Sequence, residues 1–261
     1  MLRKLVPGLT FLIMAGAASA SVLTSQTTFV ANGSQGGNPD VYSEAVFTFT
    51  NVTPSTGILT VTLTNLLVNP DSLAQNITDF SFKLLDANGI AIGPTCATNC
   101  LTSANAGDGT VTVGANGTPS YGRGAVDPKW AVMLNSATFY LNGMSPLHSA
   151  ANSIIGPAGS GGNYSNANGS IAGYGNPFVY STATWTFTLS NLPANFTIGH
   201  VNFAFNSGPG DTFSCDADSK HCAGGSSSGA PFSLDAVPEP VPFLLSGSGL
   251  IGLFILRRRR S

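Results

Sequence analysis

Four cysteines, three histidines and a scatter of aspartates carry most of the titratable chemistry open to this chain. The cysteines fall in two close pairs, Cys96/Cys100 and Cys215/Cys222. In an oxidising compartment such pairs are disulfides by default. Four cysteines allow three connectivities, and loop closure favours the local ones because short loops close cheaply. Zinc is the alternative, but three and six intervening residues do not match a CxxC knuckle. Asp211, Asp216 and Asp218 surround the second pair. Three carboxylates on a tight loop could contribute to a calcium site, which takes six to eight oxygens. The EF-hand spacing fails here, because Lys220 takes the third ligand position and His221 the place of the required glycine. A solvated acidic loop is the simpler expectation, and no metal or cofactor is assigned.

The histidines, His148, His200 and His221, are not grouped with a nucleophile. Gly225-Ser226-Ser227-Ser228-Gly229 matches the letters of a hydrolase elbow, which requires a strand before it and a helix after it. Its surroundings, Gly224 to Gly229, read instead as a short linker, so no catalytic residue is assigned and the chain is expected not to be an enzyme. His200 lies in an alternating segment opposite in phase to Val201, which points it at solvent or a polar neighbour. A better binding candidate is the Gly/Ser/Asn-rich stretch 156–176. There Tyr164 and Tyr174 sit among Asn163, Ser165, Asn166, Asn168 and Ser170. Tyrosine supplies rigid amphipathic area while Ser, Gly and Asn adapt, and flat rings flanked by amides suit sugars. The plain alternative is a flexible loop holding two ordinary tyrosines. Asn-x-Ser/Thr triplets begin at Asn32, Asn51, Asn76, Asn116, Asn163, Asn168 and Asn195, and they are acceptors only in a host with the transferase.

The elements that must carry these residues are strands. Ile58 to Thr64 alternates cleanly, with Leu59, Val61 and Leu63 on one face. The segments 44–50, 80–84, 111–113, 185–189 and 201–205 follow the same period of two. Threonine facing β-branched and aromatic residues is the signature of half-buried antiparallel strands. Asn88-Gly89 and Asp108-Gly109 are hairpin-turn dipeptides. One short helix is expected, capped by Ser145, with Pro146 first and Leu147, Ala151 and Ile154 on one face before Gly156-Pro157. The resulting fold class is all-β, an antiparallel β-sandwich of jelly-roll or Ig-like type.

Charged residues make up 8% of the chain, against roughly 25% in an average soluble domain. Residues 21–236 hold four cations, Lys83, Arg123, Lys129 and Lys220, against eleven anions, a net charge of −7. Nucleic acid needs a basic face and is excluded as a partner on that balance.

The two ends carry addresses. Arg3 and Lys4 precede the apolar run Leu5 to Ala17, and Ala18-Ser19-Ala20 supplies the small residues for signal peptidase, with cleavage before Ser21. At the other end Val237-Pro238-Glu239-Pro240 is followed by sixteen uncharged residues, Val241 to Leu256, and by Arg257, Arg258, Arg259 and Arg260. Sixteen residues make about 24 Å of helix, enough to span a locally thinned bilayer. Four arginines stay cytoplasmic and leave the body outside the inner membrane.

This triplet, apolar helix and arginine cluster resembles the PEP-CTERM sorting signal of Gram-negative bacteria, a tail also labelled ice-binding protein C-terminal domain. The resemblance covers residues 237–261 and implies recognition by an exosortase that cuts near the Pro-Glu-Pro. The segments Asn176-Pro177-Phe178-Val179-Tyr180, Ala183-Thr184-Trp185-Thr186-Phe187 and Val201-Asn202-Phe203-Ala204-Phe205-Asn206 also look like the last strands of many PEP-CTERM surface proteins. The expected organisation is a signal peptide at 1–20, a β-sandwich domain at 21–234 and a sorting tail with one transmembrane helix at 235–261. The expected function is an exported surface or extracellular-matrix protein that is structural, adhesive or polysaccharide-associated. The resemblance supports this, because exosortase systems accompany exopolysaccharide production. The alternatives are a secreted hydrolase of unfamiliar type and a calcium-dependent lectin-like module.

Overall fold

The computed structural model describes residues 24–33, 40–53, 55–94, 100–143, 151–173 and 176–205, and the backbone strands 211–215, 225–229 and 232–233. All fall within the compact unit Val22–Ala236. The expected signal peptide and sorting tail lie outside the described residues. Among those described, no helix is long and apolar enough to cross a membrane.

The described chain is all-β. In order its strands are β1 (Thr24–Gly33), β2 (Val41–Thr53), β3 (Thr56–Asn65), β4 (Ile77–Leu85), β5 (Ala91–Ile92) and β6 (Leu101–Asn105). There follow β7 (Thr110–Val113), β8 (Pro119–Gly122), β9 (Ala131–Asn135), β10 (Thr138–Asn142), β11 (Ile154–Ile155) and β12 (Phe178–Tyr180). The last are β13 (Thr182–Ser190), β14 (Asn195–Phe205), β15 (Asp211–Cys215), β16 (Gly225–Gly229) and β17 (Phe232–Ser233). One sheet is antiparallel, in the order β16-β1-β2-β3-β13-β6. The other runs β15-β14-β4-β11-β12-β7-β8, with β5 and the β9–β10 hairpin attached at β4. It is mixed, because β11 and β12 run parallel.

The period of two fixes which face is buried. In β2, Ala45, Phe47 and Phe49 are buried while Val46, Thr48 and Thr50 are not. In β3 the buried set is Leu59, Val61 and Leu63, as the alternation predicts. The opposite face of these strands is threonine in register: Thr48 pairs Thr60, which pairs Thr186. Thr62 and Thr184 share a hydroxyl hydrogen bond of 3.1 Å across the strands. Inward rings from the two sheets meet in one core. Phe47 of the first lies 5.0 Å from Phe82 of the second, edge to face, and Phe82 stacks on Phe139 at 4.7 Å. Each such buried phenylalanine contributes about 1.5–3 kcal/mol of apolar burial. A smaller cluster of Leu73, Val111, Val113, Ile155, Tyr164, Ile171 and Phe178 packs beneath the loop that follows β11.

Three expectations are corrected. The helix is not present where it can be seen: residues 145–150 lie outside the described residues, Ala151 and Asn152 form a turn, and Ile154 is in β11. Ile154 pairs with Ile77 of β4 and Val179 of β12, so sheet pairing overrides its helical spacing. Asp108-Gly109 does turn, with Gly109 at φ +81, but it passes the chain from β6 in one sheet to β7 in the other and closes no hairpin. The 224–229 linker is largely strand: Gly225–Gly229 is β16, paired with Ala31 to Thr27 of β1. Small residues leave its backbone free to lie along that edge. Asn88-Gly89 holds as a turn, here between the paired strands β4 and β5, with Gly89 at φ +76.

Candidate functional site

The glycine-rich stretch after β11 is fixed from several sides by hydrogen bonds. Asn69 accepts from the Ser165 backbone N–H on Oδ1 at 2.9 Å and donates to the Ser165 hydroxyl at 3.1 Å. The Asn168 N–H donates to the Asp71 carbonyl at 2.7 Å, and the Leu73 N–H donates to the Ser170 hydroxyl at 3.0 Å. Asn168 Oδ1 accepts from the Ser170 N–H at 2.8 Å. Two of the hydroxyls expected to adapt to a ligand, those of Ser165 and Ser170, therefore hold the loop onto the body.

Tyr164 is corrected most sharply. It is 1% exposed and fills the smaller core cluster. Its hydroxyl donates to the Gly156 carbonyl at 2.9 Å, and its backbone N–H donates to Gly117 O at 2.9 Å. Gly117 sits at φ +77, where a Cβ would lie 2.3 Å from the Tyr164 carbonyl oxygen, so only glycine allows this approach. Burial first, then the phenols of Tyr121 and Tyr180, push the Tyr164 hydroxyl well above the ordinary tyrosine range. The ring is a core anchor and offers no face to a ligand. Tyr174 lies outside the described residues.

Among the described residues near this loop, Tyr121 of β8 is an aromatic at the surface, 45% exposed. Its ring meets Tyr180 of β12 edge to face at 4.9 Å. Burial, followed by the neighbouring Tyr180 phenol, raises the Tyr121 hydroxyl above its usual value, so it stays a neutral donor near neutral pH. In register Phe178, Val111 and Tyr121 lie in one row across β12, β7 and β8, which places Tyr121 beside the smaller core. Nothing in the local sequence marks Tyr121, because its ring partner Tyr180 lies on β12, about sixty residues further along the chain.

The other candidates are dispersed. Asp211 and Cys215 are backbone positions at the two ends of β15, while Asp216, Asp218 and Cys222 lie outside the described residues. Among the described residues no three His, Cys, Asp or Glu side chains group as a metal site. Cys100 is buried and is not a free thiol, and Cys96 lies outside the described residues. His200 is exposed at φ +49, on a bulge of β14 between Gly199 and Asn202. Its carbonyl accepts from Asn202 Nδ2 at 3.0 Å. The Lys129 ammonium and backbone N–H both bind Asp127, at 3.0 and 2.8 Å, and hold that exposed carboxyl below its usual range. Of the glycosylation triplets, Asn51 and Asn76 are buried and closed to a transferase in the folded chain.

One polar feature was not visible in the sequence. Asn65, fully buried at the end of β3, donates from Nδ2 to Gln75 O at 2.8 Å and Ile154 O at 3.0 Å. Its Oδ1 accepts from the Leu67 N–H at 3.1 Å. It ties β3, the 3-10 turn Leu73–Gln75 and β11 together where the chain changes sheets.

No family model, curated protein or solved structure matches this chain.

Proposed function

We propose that this chain is an exported surface or extracellular-matrix protein, sorted by an exosortase-type system and non-catalytic. The observation that carries the reading is the tail: Pro238-Glu239-Pro240, sixteen uncharged residues and four arginines, on a chain that opens with a cleavable signal. Signal peptidase cuts before Ser21. The tail then holds the precursor in the inner membrane until the exosortase cuts near the Pro-Glu-Pro and releases the body to the surface or matrix. We read the two sheets as the layers of a β-sandwich, supported by the Phe47–Phe82 contact between them. A surface of threonine, serine and asparagine with few charges suits a hydrated matrix. Cys96 with Cys100, and Cys215 with Cys222, close local disulfide loops in the oxidising compartment.

Within this reading the partner is extracellular polysaccharide, and its contact is the Tyr121–Tyr180 pair rather than the buried Tyr164. The full chain, purified from the host envelope in mild detergent, is screened on a glycan panel with and without calcium. Binding that survives chelation and falls roughly tenfold in Tyr121→Ala, about 1.4 kcal/mol, is the expected outcome. Binding lost with calcium favours a lectin-like module, and turnover of a glycan favours a hydrolase. Non-reducing peptide maps of the same preparation read the cysteine pairs.

A further inference from the structure

β8 stands last in the order of the second sheet, and β7 lies between it and β12. Tyr121 on β8 is paired with Val111 on β7, and Val111 with Phe178 on β12. Alternation puts Tyr180 on the same face as Phe178, one row further along. In that row the Tyr180 N–H donates to the Gly109 carbonyl at 3.1 Å, so the position between the two tyrosines is a glycine and holds no side chain. Gly109 sits at φ +81, where a Cβ would strike the Gly122 carbonyl oxygen, so the gap is built into the backbone. Across it the rings of Tyr121 and Tyr180 meet edge to face, with centroids 4.9 Å apart.

The two phenols sense each other as well. After burial, the Tyr180 phenol is what raises the Tyr121 hydroxyl, through its charge and a side-chain hydrogen bond. The ring carbons that couple when phenols are oxidised flank the carbon bearing the hydroxyl, so hydroxyls drawn together bring those carbons together. Tyr121 is exposed and Tyr180 half-buried, and an oxidant in solvent reaches the pair through Tyr121. Tyr42 and Tyr140 are about as exposed as Tyr121, but neither makes a ring contact among the described residues. Tyr164 is closed to solvent.

We propose that Tyr121 and Tyr180 are a cross-linking pair, joined ring to ring as a dityrosine by a peroxide-driven one-electron oxidant. Each phenol gives its O–H hydrogen atom to the oxidant. The two phenoxyl radicals join through a carbon beside each oxygen, and the hydrogen on each joined carbon moves to its oxygen and restores the ring. Two hydrogen atoms leave the protein in all, and they reduce one hydrogen peroxide to two waters. Held in contact, the radicals meet each other before either meets another chain. The link ties the outermost strand β8 to β12 over the top of β7 and closes a long loop of chain between them, which restricts the unfolded state. It needs neither a glycan nor a processed tail, so it holds or fails independently of the proposed sorting and glycan contact.

The full chain in mild detergent, kept dilute, is treated with a heme peroxidase and limiting hydrogen peroxide, then digested and mapped by mass. The expected product is a monomer with dityrosine fluorescence and one joined peptide pair carrying Tyr121 and Tyr180, two hydrogens lighter than the separate peptides. Tyr121→Phe and Tyr180→Phe keep the rings and should each lose that product, whereas Tyr42→Phe with Tyr140→Phe should retain it. The same treatment in denaturant should also lose it, because the contact is gone. The linked chain should unfold at a higher denaturant concentration than the untreated one. A folded chain that forms no dityrosine, or forms it only between chains through Tyr42 or Tyr140, overturns the proposal. A product that persists in Tyr121→Phe or in denaturant overturns it as well, and a linked chain that unfolds with the untreated one removes the strand-tying role.

Discussion

At the scale of single residues, side chains expected to meet a ligand turn out to build the body. Tyr164 shows why. A tyrosine among glycines and asparagines has the composition of a binding loop, but a glycine outside that stretch, in the turn between β7 and β8, lets the backbone approach closely enough to bury the ring. Gly117 is the particular case, since any side chain there would strike the Tyr164 carbonyl. Tyr164→Phe keeps the packing and leaves the Gly156 carbonyl without its donor, at an expected cost of about 1–3 kcal/mol. Tyr164→Ala also opens a cavity and should cost about 3–5 kcal/mol, as large aromatic truncations do. Denaturant unfolding of the two variants reads the difference, and equal stability of Tyr164→Ala and the unmodified chain would refute the anchoring role. Asn65 makes the same point from the polar side. Its value lies in carbonyls from Gln75 and Ile154, residues that nothing in the local sequence brings near it.

At the scale of elements, the long strands and the short β7 were legible, and most of the other short ones were not. β2, β3, β4, β13 and β14 each carry enough alternating positions to reveal their period, and their buried faces match it. β11 has two residues, too few for a period, and Ile154 fell into a helical pattern by its spacing from Ala151. The Ser136-Ala137 turn was missed because neither residue is the Gly, Asn or Asp that usually accepts a positive φ. β16 was missed because glycine and serine read as linker when no side chain marks a face. Asn88-Gly89 was legible, and Asp86 explains its stability: one carboxyl oxygen accepts the N–H of Asn88 at 2.9 Å and of Ile90 at 2.8 Å. The Ile90 N–H, more than any other group, holds the Asp86 carboxyl below its ordinary value of 3.8. A lowered folded pKa means that the stabilisation is complete above the unfolded value and is lost as pH falls through the folded one. The turn should therefore loosen only in acid below the usual aspartate range. Faster exchange of the Ile90 amide in that window, relative to Asp86→Asn, checks it, and exchange that tracks pH identically in both contradicts it.

At the scale of the whole molecule, the function proposed divides the work between the body and the two ends. The body is an all-β unit whose two sheets share an aromatic core, and the exposed sides of its strands carry threonine and asparagine more than charge. Site chemistry was hardest to read, because contacts such as Tyr121 on Tyr180 join residues about sixty positions apart and leave no local signal. The ends lie outside the described residues, and their proposed reading rests on the sequence alone, where a membrane address is written in consecutive residues. Val241 to Leu256 followed by four arginines should hold the precursor with its body outward. Pro238→Ala with Pro240→Ala should leave full-length protein in the membrane fraction, since the apolar segment is untouched, whereas deletion of 241–261 should release soluble protein. The measurement that bears most directly on the account is the intact mass of the chain from matrix and membrane fractions of its native host. The account predicts matrix protein that begins at Ser21 and ends between Pro238 and Val241. Matrix protein that still carries residues 241–261 would contradict it and leave an ordinary tail anchor.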